Sequence, residues 1–170
     1  RCGLYSNIER VNRLLTNQDK LYLIVRPEIE DLIREKFNQV IVNPQIIPSG
    51  IMLNGATIWN SDVINELKID KSYSCNGSLI AINKSTSTNL DQFHNLLETA
   101  IQITLDIDVI HINYIWDLIF NISEILIYDL SNSCNFKSLA DSNKTEYIHS
   151  SVIINNKENI FIDDSAKVGA

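Results

Sequence analysis

Apolar residues in this chain fall into short aliphatic runs separated by stretches of helical spacing, the pattern of strands alternating with amphipathic helices. Ser6 followed by Glu9 reads as a capping box. Ile8, Val11, Leu14 and Leu15 then share one face, predicting a helix over about residues 7–16. The run from Leu21 to Val25 does not alternate, so it predicts a strand buried on both faces, as in a parallel sheet. Pro27 suits the first helical position, Glu28, Glu30 and Asp31 complement the dipole of a first turn, and Ile29, Leu32, Ile33 and Phe37 make an apolar face. With a second aliphatic run at Val40–Val42, residues 7–42 alternate helix, strand, helix, strand, in the manner of an α/β domain.

Ile51-Met52-Leu53 predicts a further strand, ending at Asn54-Gly55, where glycine permits a turn that a Cβ would forbid. Asn60 or Ser61 is placed to cap a short helix through Leu67. Asn76-Gly77 lies between Ser72-Tyr73-Ser74 and Leu79-Ile80-Ala81-Ile82, a strong signal for an antiparallel hairpin because both turn residues accept positive φ. Leu90, Phe93, Leu96, Leu97 and Ile101 predict a helix over about residues 89–102. Val109–Ile112 reads as a short strand, and Ile115–Leu130 as a helix or a helix plus a strand. Residues 131–147 are polar and read as a connector, after which β-branched runs return from Val152.

The last dozen residues carry a different period. Ile162-Asp163-Asp164-Ser165-Ala166-Lys167 fits a six-residue repeat of an aliphatic, a small or acidic residue, two free positions, a small residue and another free one, and Val168-Gly169 starts a second copy. In a β-solenoid each such segment forms one wall of a prism, with the aliphatic inward and the small residue at the corner. The pattern predicts the opening of a solenoid; the alternative is a single exposed strand. The chain opens on Arg1 rather than Met and closes inside this repeat, so missing material is expected at both ends.

Composition narrows the class. A chain of 170 residues, 45% hydrophobic and 21% charged, builds one complete core and is globular. The richest apolar stretch, Ile107 to Leu130, is interrupted by Asp108, His111, Asn113, Asp117, Asn121, Glu124 and Asp129, which excludes a bilayer span. A net charge of −7, with basic residues scattered, disfavours nucleic acid and acidic membrane as partners. Cys2, Cys75 and Cys134 cannot all pair and lack the close spacing of a zinc site, so a reduced, cytoplasmic protein is expected.

Three segments in order point to a family. Arg1-Cys2-Gly3-Leu4 with Glu9-Arg10, then Leu53-Asn54-Gly55, then Tyr114-Ile115-Trp116-Asp117-Leu118-Ile119 with Asn121 and Asp129, together resemble the amino-terminal domain of GlmU-like sugar nucleotidyltransferases. Those proteins carry a left-handed β-helix directly afterwards. The resemblance implies an α/β fold, a Rossmann-like nucleotidyltransferase-type sheet with flanking helices over residues 1–147, truncated at its N-terminus. The first coils of a left-handed parallel β-helix would then occupy 148–170. Two positions depart from the family pattern: Ile115 stands where proline is usual, and Asn156 where an inward aliphatic of the preceding coil is expected. The upstream phosphate-binding loop is not within these residues, so this stretch alone is expected to be inactive or nearly so.

The implied reaction attacks the α-phosphorus of a nucleoside triphosphate with the phosphate oxygen of a sugar 1-phosphate and releases pyrophosphate. Two anions must meet, which calls for Mg²⁺ held by carboxylates, basic side chains and backbone N–H groups. The five glycines are too dispersed for a Walker or dinucleotide loop. Asp117 is the best acidic candidate, for metal or a sugar hydroxyl, against a plain role as helix cap. Trp116 is a sugar or base platform, or a core aromatic. Asn54 and Gly55 sit at a strand end, where open α/β sheets place ligands, or form only a turn. Arg1 has the reach of a phosphate ligand or is unconstrained. His94, His111 and His149 form no catalytic spacing, and His111 reads most simply as a hydrogen-bonded, partly buried side chain. Against the enzyme stand two further readings, a noncatalytic sugar-nucleotide-binding or assembly domain attached to a β-helix acyltransferase, and a β-helix acyltransferase whose α/β domain merely covers the solenoid end. The resemblance implies homotrimer formation through the β-helix.

Overall fold

The computed structural model describes residues 2–104, 108–132, 138–140, 148–162, 166 and 168. They fall into two compact units, one comprising Tyr5–Asn121 and the other Cys2–Leu4 with Ile122–Ala170. Both helices and sheets are present, so the chain is mixed α/β.

The first unit opens with helix α1 (Asn7–Leu14). Its capping box forms as the sequence predicts: the Glu9 backbone N–H donates to Ser6 Oγ at 3.3 Å, and the Ser6 N–H donates to Glu9 Oε2 at 2.7 Å. Strand β1 (Tyr22–Leu23), a 3₁₀ turn at Pro27–Ile29, helix α2 (Glu30–Lys36) and strand β2 (Ile41–Val42) then make a small parallel crossover unit. The strands are shorter than the aliphatic runs, and Leu21–Val25 is only half-buried. The expectation of a strand buried on both faces is corrected: among the described residues β1 pairs with β2 in a two-stranded sheet, and its residues are half-buried. Asn43 closes this unit in the left-handed region, at φ 48°. Its side-chain carbonyl accepts from Val25 N–H at 2.8 Å, while its amide donates to Val25 O and to Glu30 Oε2. Asparagine tolerates that conformation better than other residues with a Cβ.

Strands β3 (Ile46–Ile47), β4 (Gly50–Leu53), β5 (Lys71–Cys75), β6 (Ser78–Lys84), β7 (Thr88–Asn89) and β8 (Gln102–Thr104) complete the sheets. The largest sheet has the order β4-β6-β5-β8. Its first two pairings are antiparallel and the third, β5 to β8, is parallel. The β5–β6 hairpin turns at Asn76 (φ 50°) and Gly77 (φ 79°), the double positive φ that the Asn-Gly pair predicts. Helix α3 (Ser61–Asn65) is capped by Asn60, whose side chain accepts from Val63 N–H at 2.9 Å. Trp59, Val63, Leu67, Tyr73, Ile80 and Ala81 form the core between α3 and the hairpin, with Val11, Leu14, Leu53 and Val109 packed around it.

Helix α4 (Leu90–Thr99) ends earlier than its periodicity predicts, because Ala100 turns extended. Ile101, assigned by spacing to the helix face, is instead 88% exposed just before β8. Residues 109–112 pair with 56–58: Thr57 bridges His111, Ile58 N–H donates to Ile110 O, and Ile112 N–H donates to Ala56 O. Helix α5 (Asp117–Ser131) follows, a single helix without a second strand.

In the second unit, Gly3 has φ +72°, and Leu4 N–H donates to Asp129 Oδ2 at 2.9 Å. Asp129 and Ile125 are buried. Ser138 bridges Phe161, Ile148 bridges Val168 in parallel, and a 3₁₀ turn covers Lys157–Asn159. Residues 152–155 form no strand, and Asn156 is left-handed at φ 57° ahead of that turn. Four of the six hexapeptide residues, Asp163, Asp164, Ser165 and Lys167, lie outside the described residues, as do Gly169 of the next copy, Arg1 and Cys134.

Candidate functional site

The end of β4 and the start of α5 meet on the first unit through a ladder of hydrogen bonds. Asn54 builds the turn with every polar group it has. Its backbone N–H donates to Ile80 O at 2.8 Å, and its side-chain amide donates to Leu79 O at 2.9 Å. Its side-chain oxygen accepts from Ala56 N–H at 2.9 Å, and its carbonyl accepts from Trp59 Nε1 at 3.0 Å and from Thr57 N–H at 3.1 Å. Gly55 is exposed, and its carbonyl accepts from Asn7 Nδ2 at 2.7 Å, which ties the turn to the first residue of α1. Gly55 is not in the left-handed region, and a Cβ there would meet nothing within 4 Å. The expectation that this turn needs glycine is therefore corrected: the Asn54 side chain, not a missing Cβ, shapes it.

Two residues further on, Thr57 is fully buried and its Oγ1 is hydrogen-bonded to His111 Nδ1 at 2.9 Å. The His111 ring is half-buried, and burial pushes its pKa below the ordinary imidazole value while the nearby Asp117 charge pulls it back up. This matches the reading of His111 as a bonded, partly buried side chain. Asp117 Oδ2 accepts from the backbone N–H groups of both Asn113 (2.9 Å) and Tyr114 (2.8 Å). The carboxylate thus caps the turn leading into its own helix and complements the helix dipole. Asn121 Nδ2 donates to Asp117 O at 2.7 Å one turn later.

Trp116 is not the core aromatic that its residue type favours. It is 51% exposed and lies nearly parallel to Tyr114, with centroids 4.7 Å apart and planes 8° apart. Trp59, which drew no attention in the sequence, holds the core position instead at 1% exposure. The bonds of Ala56 to Ile112 and of Thr57 to His111 thus bring the segment that follows Asn54-Gly55 alongside the one that leads to Trp116 and Asp117. Asn7 and Thr57 went unnoticed in the sequence, where the only signal for Thr57 was a lone hydroxyl ahead of Ile58-Trp59.

No group of three or more His, Cys, Asp or Glu side chains among the described residues is gathered to hold a metal ion. Asp117 already has Oδ2 committed to two backbone donors.

A family model for sugar nucleotidyl transferase matches residues 1–135, which includes the turns at 54–55 and 113–117 and the hydrogen bond from Leu4 to Asp129. The chain belongs to the sugar nucleotidyl transferase family. No curated protein and no solved structure matches the chain significantly. Nucleotides and sugars are the substrate classes this family implies. The site candidates gain a context from membership: the three segments that point to the family lie within the matched span. No helix among the described residues is long and apolar enough to cross a membrane.

Proposed function

We propose that the intact protein transfers a nucleotidyl group from a nucleoside triphosphate to a sugar 1-phosphate with release of pyrophosphate. The family match over residues 1–135 carries this reading. The pairing of the segment that follows the 54–55 turn with the one that leads to the 113–117 turn supports it. In that reading Asn54 and Asp117 shape the rim, and the exposed Trp116 face, braced by Tyr114, receives the flat side of a sugar or base. Arg1 completes the substrate-binding set proposed from the sequence. Mg²⁺, which the resemblance implies, belongs to the same proposal, held by one or two carboxylates together with the substrate phosphates. We place a GlmU-like nucleotidyltransferase-type domain in residues 1–147 and the opening of a left-handed β-helix in 148–170. The parallel bridge between Ile148 and Val168 supports the second assignment, because its separation is close to one coil of three six-residue walls, about 18 residues.

A noncatalytic sugar-nucleotide-binding or assembly domain is the second reading. The observation that favours it is that the polar groups of Asn54 and Asp117 Oδ2 are already engaged in holding backbone. Pyrophosphate release by the intact protein, with each nucleoside triphosphate and a panel of sugar 1-phosphates, separates the two. Release that requires one triphosphate and one sugar phosphate establishes the transferase. Tight binding of a nucleotide sugar without release moves the conclusion to the binding domain, and neither activity from folded protein overturns both.

A further inference from the structure

Two asparagines in the chain are followed by glycine, Asn54 and Asn76. That pairing carries a chemistry of its own. Glycine has no side chain to keep its nitrogen away from the preceding asparagine side chain, and an attack within one chain starts with its reactants already together. The fold treats the two pairs in opposite ways. The Asn54 amide is held at both ends, with Nδ2 donating to Leu79 O at 2.9 Å and the side-chain oxygen accepting from Ala56 N–H at 2.9 Å. Asn76 and Gly77 are exposed at the tip of the β5–β6 hairpin, and among the described residues no hydrogen bond engages the Asn76 side chain or the Gly77 N–H. A Cβ on Gly77 would meet nothing within 4 Å, so the space beside it is open to water. The register shift between Tyr73 and Ser74 sets the last two pairs, Ser74 with Leu79 and Cys75 with Ser78, apart from the rest of the ladder. The tip can therefore open without breaking the whole hairpin.

We propose that Asn76 is a site of self-modification, at which the folded protein deamidates with water as the co-reactant. The Gly77 nitrogen, its proton taken by hydroxide, attacks Asn76 Cγ. The N–Cγ bond forms, the Cγ–Nδ2 bond breaks, and Nδ2 leaves as ammonia after taking a proton from water. The cyclic imide that remains takes up water. Opening at Cγ leaves aspartate, and opening at the Asn76 main-chain carbonyl leaves isoaspartate, whose chain runs through Cβ and Cγ. Water is consumed, ammonia is released, and nothing is oxidised or reduced. The two products act differently on the hairpin. Aspartate accepts the φ of 50° found at this position, so the turn survives with an added negative charge. Isoaspartate adds a main-chain carbon between Cys75 and Ser78, and a two-residue loop has no slack for it. The hairpin that carries Tyr73, Ile80 and Ala81 into the core then loses its closed end.

Peptide mapping by mass spectrometry tests the proposal, on the full chain held folded near neutral pH and on a parallel sample held in urea, both digested at mildly acidic pH. In the folded sample the peptide containing Asn76 should gain about 1 Da and divide into aspartate and isoaspartate forms, at a rate that rises with hydroxide concentration. Asn54 should convert at least about tenfold more slowly, because its two side-chain hydrogen bonds must break first. In urea the two sites should convert at similar rates. Asn76→Asp should keep the wild-type urea midpoint, whereas aged wild-type protein should acquire a population that unfolds at lower urea in proportion to its isoaspartate content. No conversion at Asn76 in the folded protein, whether or not urea releases it, overturns the proposal. Conversion of Asn54 as fast as Asn76 in the folded chain overturns it as well, as does a contrast that persists in urea, since its cause would then lie outside the fold. Isoaspartate-rich protein with the wild-type midpoint overturns the effect on the hairpin.

Discussion

Gly3 and Gly55 show why a glycine must be judged by what surrounds it. A Cβ on Gly3 would overlap Asp129 Oδ2 and come within 2.9 Å of Ile125 Cγ2, on a backbone at φ +72°. Gly3→Ala should therefore destabilise the protein by about 2–4 kcal/mol, the left-handed penalty added to overpacking, as read from urea unfolding. Gly55→Ala should change stability by no more than about 0.5 kcal/mol, because its surroundings are open and its φ is ordinary. Equal effects at the two positions would contradict both assignments. His111 gives a pH dependence of known sign. Burial lowers its folded pKa below the unfolded value of about 6.5, so its contribution is fully present above that value and is lost as pH falls toward the folded pKa. The urea midpoint should drop between about pH 7.5 and pH 5, and His111→Gln should flatten that drop. An identical slope in the variant would rule His111 out as its source.

At the scale of elements, Asp117 holds the turn from the 109–112 segment into α5 through its two backbone acceptor bonds. Asp117→Ala releases both donors and should cost about 1 kcal/mol, comparable to the loss of a helix cap. Asp117→Asn keeps an acceptor oxygen but removes the charge, so it should retain most of the stability while the His111 pKa falls, as followed by NMR titration. If both variants unfold alike and His111 titrates unchanged, the carboxylate does not act on this turn as described. If the intact protein carries the proposed activity, turnover lost in Asp117→Asn without loss of stability would give the residue a role in the reaction as well. Elements whose signals close within a few residues were legible beforehand: the Ser6–Glu9 box, the Asn60 cap and the Asn76-Gly77 turn each form as written. Strands β3, β7 and β8 were not, because short edge pairings depend on partners far along the chain.

For the whole molecule, the order of elements and motifs points to a mixed α/β class and a sugar nucleotidyltransferase, and the family match supports that much of the reading, not its GlmU-like or β-helix part. Exposure was the part that could not be read. Periodicity says that α5 has an apolar arc but not which side packs. Trp59 and Trp116 are the same residue type, yet one is buried in the core and the other is half in solvent.

What the sequence determined by itself was local: caps, turns, the helix spans to within a few residues, and the presence of Asn54-Gly55 and Trp116-Asp117 at element ends. Tertiary structure alone decided that the Asn54 amide reaches Leu79 O, that Thr57 meets His111, and that Gly3, not Gly55, is the glycine with no room for a side chain. The reason is one of range. A cap or a tight turn is satisfied by neighbours a few bonds away, whereas the contact that constrains Gly3 runs to Asp129, as does the Leu4 hydrogen bond across 125 positions. Only packing brings such partners together.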